Sequence, residues 1–396
     1  MKRRNFLKAS ALASSAWMIP SFLRSQSLAG SPNGKTLVVV QLSGGNDGLN
    51  TIVPYRNDIY HRSRPRLAIS AKDVLKVDDQ MGFHPAFESL RPLYDQGLMS
   101  IVNSVGYPNP DRSHFRSMDI WHTASNSDEY WSSGWLGRYL DSQCKGCLDP
   151  HHALEVDDGL SLALKGKQRQ GFAMSNVQSL KRTTDNRFLQ AVSRQLSTQQ
   201  QEEHNVAYLY KTLIDTQESA GYLYEQSKMH RSKVTYPKTS FAKDLKQIAE
   251  LMTADSTVKV YYVSLTGFDT HVNQQRQQAR LLQQYAEGMA AFVKDLSQNK
   301  LLDDTLIMTF SEFGRRVQQN ASNGTDHGTA NNLFLMGGKL KKAGFFNTAP
   351  DLSRLDKGDL IYQIDFRDIY TSILDKWLGQ DSERILGRNF AGIDIV

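Results

Sequence analysis

Long apolar runs recur along the chain, and each one breaks abruptly into glycine or polar residues: "TLVVVQLSGG", "LMSIVNSVGY", "VKVYYVSLTGF", "TLIMTFSEFG" and "NLFLMGG". A strand with one wet face alternates apolar and polar residues, so unbroken runs predict strands buried on both faces. Between them lie segments with apolar residues three and four apart, such as "HPAFESLRPLYDQG" and "QQARLLQQYAEGMAAFVKDLSQNK", which predict amphipathic helices. Strands alternating with helices imply an α/β fold, a three-layer sandwich wound around a mainly parallel sheet.

From about Leu148 to Pro237 the strand pattern loosens into polar, Gln-rich stretches with helical spacing, and the strand-like runs then resume. This predicts a helical cap inserted into one domain. No repeat of fixed period is visible.

The first residues change the picture of where the chain works. "MKRRNFLKASALASSAWMIPSFLRSQSLAG" has paired arginines, a short apolar run interrupted by Pro20, and small residues before Gly30. That is the layout of a twin-arginine export signal, expected over 1–29, with the translocase as a transient partner and 30–396 as the mature domain, periplasmic or otherwise exported. The formal charge of +6 then misleads. Without Lys2, Arg3, Arg4, Lys8 and Arg24, the 47 basic residues fall to 42 against 41 acids. A nearly neutral chain lacks the basic face that nucleic acid requires. No later run is long enough to span a bilayer. Cys144 and Cys147 are expected to form a local disulfide in an oxidising compartment. Redox chemistry, or a zinc site completed by His151 and His152, are the alternatives.

In open α/β sheets, ligands bind beyond the carboxyl ends of the strands. Asp47 follows the first run, "DRSHFRSMDIWHT" the second, Asp269 and His271 the third, Glu312 and Arg315 the fourth, and His327 precedes the fifth. Carboxylates and imidazoles gathered at strand exits suit a divalent ion of the zinc, manganese or calcium kind, which relieves their mutual repulsion. Each residue also has a purely structural reading. Asp47 between glycines suits an Asx turn, Asp269 and His271 suit a helix cap near Asn273, and Glu312 suits an ion pair with Arg315 or Arg316. His327, in a polar Gly-rich loop, has no core to pack into.

The segments "QLSGGNDGLNTIVPY", "GYPNPDRSHFRSMDIWHTA", "GWLGRYLD", "FDTH", "TFSEFGRRV", "GTDHGTANNLFLMGG" and "IDFRDIYTSILDKWLG", in that order, resemble the exported family called domain of unknown function 1501, itself similar to the alkaline phosphatase and sulfatase superfamily. The resemblance implies an alkaline-phosphatase-like fold and a metal-dependent hydrolase of phosphate or sulfate esters, acting on an anionic small molecule or polymer. It implies Asp47 as the early metal ligand and Ser113 as the nucleophile at a helix start, with Ser117 as a rival. Asp269, His271 and His327 would hold an ion, and Arg112 and Arg315 the anionic substrate. One residue rather than three separates Asp269 from His271, and Glu312-Phe313 stands where the superfamily has Asp-His. These departures imply one well-made site, with Asp47 and Glu312 as a poorer neighbour or as partners of Arg315, and so one or two ions. They also leave open a catalytically inactive binding protein on the same fold. A cage requires the donors of Asp269, His271 and His327 within about 4 Å of one another.

Overall fold

The computed structural model describes residues 34–143, 152–196, 204–254 and 257–396. The export signal expected over 1–29, and Cys144, Cys147 and His151, lie outside the described residues. In chain order the main elements are β1 (Thr36–Ser43), α1 (Asp58–Ser63), β2 (Met99–Gly106), α2 (His114–Thr123), α3 (Trp135–Gln143), β3 (Ala153–Val156), β4 (Phe172–Ala173), α4 (Val177–Thr184), α5 (Arg187–Leu196), α6 (His204–Met229), α7 (Ser240–Thr253), β5 (Val260–Thr266), α8 (Gln274–Gln298), β6 (Thr305–Phe310), β7 (Asn331–Met336), β8 (Gly344–Phe345), β9 (Ile364–Asp365) and α9 (Phe366–Ser372).

β1 is an unbroken apolar run because both of its faces are covered. Val38, Val40 and Leu42 pack on one side with Phe241, Leu282 and Phe292 of α7 and α8. Leu37 and Val39 pack on the other with Trp121, Trp135 and Tyr370 of α2, α3 and α9. Removing both faces from water stabilises the strand through side chains pointing either way. The result is the expected three layers, helices on both faces of a nine-stranded sheet. Lys35–Val396 forms one compact unit.

The strand order is β8-β2-β7-β6-β1-β5-β3-β4, with β9 also paired to β2. β1 runs parallel to β5 and β6, with Ser43 opposite Thr266 and Gln41 opposite Phe310. β7 is antiparallel to both β6 and β2. The cause is local: no helix lies between β6 and β7, and a parallel return needs a crossover of a dozen or more residues, usually helical.

The stretch 148–237 departs from the expected helical cap. Ala153–Val156 pairs in parallel with β5, and Phe172–Ala173 pairs with β3, so its first part extends the main sheet. Among the described residues its first α-helix begins at Val177, after a 3-10 turn at Leu162–Leu164. The strand at Ala153 is short and flanked by loops, too brief to register as a periodic run. The predicted helix over 84–97 is likewise divided, into a 3-10 turn at Pro85–Leu90 and a helix at Arg91–Asp95. Pro92 sits in the first turn of the second piece, where its missing N–H costs least.

Candidate active site and metal centre

The carboxyl ends of β1, β5 and β6 lie along one sheet edge, as their registers require. Because β7 runs the other way, its amino end reaches that edge, and so does the end of β2, whose Val105 faces Asn331. The loops after β1, β2, β5 and β6 and the loop before β7 therefore meet. Gly44 and Gly45 make this approach sterically possible. Their φ angles are +117° and +68°, and a Cβ would lie 2.4 Å from the Asp269 nitrogen at Gly44 and 2.2 Å from the Phe313 ring at Gly45.

At the meeting point three imidazoles surround one carboxylate oxygen. Asp269 Oδ1 is 3.1 Å from His271 Nε2, 3.3 Å from His327 Nε2 and 3.4 Å from His114 Nε2. His271 Nε2 and His327 Nε2 are 2.9 Å apart. Each ring is held from behind. His114 Nδ1 donates to Glu312 Oε1 at 2.8 Å, His327 Nδ1 to the Arg112 carbonyl at 2.7 Å, and His271 Nδ1 to Asp326 Oδ1 at 3.4 Å. These partners only accept, so the Nδ1 atoms carry the protons and, in the neutral rings, the Nε2 lone pairs face inward. Lone pairs and a carboxylate at such spacings repel unless positive charge lies among them. Ligands about 2.0–2.2 Å from a tetrahedral ion are separated by about 3.3–3.6 Å, close to the spacings found. The His114, Asp269 and His327 donors lie within 4.8 Å of one another. His114 Nε2 is buried and has no hydrogen-bond partner, an orphan that a metal ion would satisfy.

Arg315 fixes the carboxylate. Its side chain is wholly buried and donates to Asp269 Oδ1 at 2.7 Å. Its other N–H groups reach the carbonyls of Gly45, Thr325 and Phe268 at 2.6, 2.9 and 3.1 Å, and that of Gly44. Partial burial opposes ionisation of Asp269, but the Arg315 hydrogen bond and charge, helped by His271 and His114, outweigh it and hold the carboxyl at about 2. The Glu312 hydrogen bond raises His114 above the ordinary histidine value. Burial, with the charges of Arg315 and His114, lowers His327. The buried Phe313 ring packs against both His114 and His327, with centroids 4.8 Å away in each case.

The structure thus brings together Asp269, His271, His327 and Arg315, with Glu312 behind His114. It sets Asp47 apart. Asp47 Oδ2 pairs with Arg64 Nη1 at 2.5 Å, both side chains fully buried, and accepts from Gln274 Nε2. Arg64 thus meets one oxygen of Asp47, the early metal ligand of the resemblance, while its Oδ1 is buried with no hydrogen-bond partner. Glu312, also among the expected ligands, stands behind His114: its Oε1 accepts from His114 and from the Gly44 N–H at 2.8 Å. Arg112 pairs with the buried carboxylate of Asp359, and the donors of Arg315 are taken by protein acceptors.

Ser113 is the exposed N-cap of α2, and its hydroxyl forms no capping bond, which leaves it uncommitted beside His114. Ser117 is buried and holds the Asp111 carbonyl at 2.6 Å and Tyr107 Oη at 3.0 Å, a packing role. His114 was not among the predicted ligands. The signal was an imidazole directly after a helix-start serine, within a strand exit already rich in polar groups.

The family model for "Protein of unknown function (DUF1501)" matches residues 34–391. The chain belongs to that family. No curated protein matches this DUF1501 chain. Among solved structures it is similar to the C-terminal periplasmic domain of EcEptC from Escherichia coli, with 10% identity, a TM-score of 0.42, and 89% of this chain and 86% of that one covered. It is also similar to a protein in the alkaline phosphatase superfamily from Vibrio parahaemolyticus, with 9% identity, a TM-score of 0.39 and coverage of 89% and 69%. The PsFucS1 sulfatase from Pseudoalteromonas sp. follows at 13% identity, a TM-score of 0.37 and coverage of 92% and 72%. Among the described residues, no helix is long and apolar enough to cross a membrane.

Proposed function

We propose that this protein is an exported, metal-dependent hydrolase of phosphate or sulfate esters. The observation that carries the proposal is the convergence of the His114, His271 and His327 Nε2 atoms on Asp269 Oδ1. His114, Asp269 and His327, joined by His271, would hold the ion. A bound divalent ion supplies a Lewis acid for the charge that builds on the ester oxygens.

The chain's own groups do the rest. Ser113 Oγ, free of any cap bond at the first turn of a ten-residue helix, is placed to attack. The unpaired N–H groups of that turn face the anion with the positive end of the helix dipole. Glu312, Asp326 and the Arg112 carbonyl hold the imidazole rings in one tautomer. Arg315 keeps Asp269 ionised across any working pH. The test is metal analysis of the mature protein together with turnover of aryl phosphate and aryl sulfate esters. Absence of a bound divalent ion, with no turnover after zinc, manganese or calcium is added, would sink the proposal.

A second reading, an exported binding protein without turnover, is favoured by one observation: the Arg315 guanidinium, expected to hold the substrate, is wholly buried and taken by protein acceptors. Under that reading the Ser113→Ala variant keeps its ligand affinity, and the parent shows no ester hydrolysis to lose.

A further inference from the structure

Next to the metal centre lies a cavity of about 160 Å³ that none of the preceding chemistry uses. Tyr107, Trp121, Phe313 and Tyr362 supply aromatic wall, and Asn109 and Asp356 supply polar groups. Two features tie it to the centre. Glu312 and Phe313 line it, and these residues brace His114 and His327. The loop after β2 also runs from the cavity wall at Tyr107, Asn109 and Pro110 straight to Arg112, Ser113 and His114.

The lining chooses the ligand. It contains carboxylates, Glu312 and Asp356, and no lysine, arginine or histidine, so an anionic group is repelled. Among the described residues the side chains of Asn109 and Asp356 form no hydrogen bond, whereas Tyr107 Oη and Thr329 Oγ1 are already engaged. Free amide and carboxylate groups over aromatic walls suit a ring that carries hydroxyls on its edge and C–H on its faces.

We propose that this cavity binds an uncharged sugar ring. Resting on the hydrolase reading, that ring is the alcohol part of the ester, and its anionic group extends past Phe313 toward Ser113. The cavity sets substrate choice through Tyr362 and Asp356, which stand at its rim and touch none of the metal-binding groups.

The test has two arms. In calorimetry, methyl β-D-glucopyranoside and methyl β-D-galactopyranoside are titrated into the full mature protein and into its Tyr362→Ala and Asp356→Ala variants, whose thermal melts confirm folding. At least one sugar should bind, and either variant should weaken it by about tenfold or more. In the second arm the same variants should raise KM for the corresponding sugar sulfates and phosphates while leaving methyl sulfate and methyl phosphate unaffected. Failure of both sugars to bind, equal binding by the variants, or equal effects on the methyl esters would overturn the proposal. If the sugars bind in the variant-sensitive way and no ester turns over, the hydrolase reading falls and the sugar site stands.

Discussion

The Nε2 atoms of His271 and His327 stand 2.9 Å apart although 56 residues separate them in the chain. Both rings are held through Nδ1 by outside acceptors, so neither can turn away to relieve the contact. Arg315 Nη1, 3.4 Å from His271 Nε2, brings positive charge to the pair.

That arrangement predicts metal content. The purified protein should carry about one divalent ion per chain, and His114→Ala and Asp269→Ala should lose it, as read by elemental analysis. Full retention in the His114→Ala variant would remove that residue from the centre.

Removing the brace behind His114 should weaken binding without touching a ligand. Glu312→Gln is expected to lower metal affinity about tenfold to a hundredfold. It should also move the pH dependence. Imidazoles bind metal only when neutral, so affinity falls as pH drops, and His114, raised by Glu312, is protonated first. Without the carboxylate that loss should shift to lower pH. A midpoint that stays put or rises would count against the assignment.

Ser113→Ala should cut ester turnover by about a thousandfold or more, with metal content and melting temperature unchanged, because the side chain is exposed and uncommitted. Ser117→Ala should instead cost about 1–2 kcal/mol of stability, since its hydroxyl ties down the Asp111 carbonyl and Tyr107 inside the protein. Reversal of the two phenotypes would exchange their roles.

The Asp47–Arg64 pair should matter to folding rather than to chemistry. Both side chains are fully buried, and Arg64 also donates to Asn50 Oδ1 and to the Val317 and Arg316 carbonyls. Arg64→Ala leaves a buried carboxylate unpaired and should cost about 3–5 kcal/mol in denaturant unfolding. A loss below about 1 kcal/mol, as at an exposed pair, would contradict this placement.

Glu155 gives a pH dependence of stability with a definite sign. Burial pushes its carboxyl up from 4.5 to about 7, partly offset by the Ser161 N–H at 2.6 Å. Between those values the folded state holds a proton that the unfolded state has released, so stability falls as pH rises through that window. Glu155→Gln should therefore match the parent below about pH 4 and exceed it at pH 8 by on the order of 3 kcal/mol. Equal stability of parent and variant at both pH values would refute it.

The five long apolar runs all became strands of the sheet, because burial on both faces leaves a mark in every residue of the run. Asp269, His271 and His327 were legible as candidates because polar residues just past a buried strand face the ligand edge of such sheets. The family was legible too, from segments spread over most of the chain. The direction of β7 was not, nor was the strand at Ala153–Val156, too short to carry a period.

What the tertiary structure alone decided is which charges meet. Asp47 lies between glycines in the chain and under Arg64 in space. Arg315 stands three residues from Glu312, yet its partner is Asp269. His114 joins the centre because β2 and β7 run in opposite directions and bring their neighbouring loops to one edge. Hydrophobic pattern repeats every two or four residues and so records local burial, residue by residue. Ion pairs and ligand sets depend on strand order and direction, which arise from contacts between distant parts of the chain and leave no period behind.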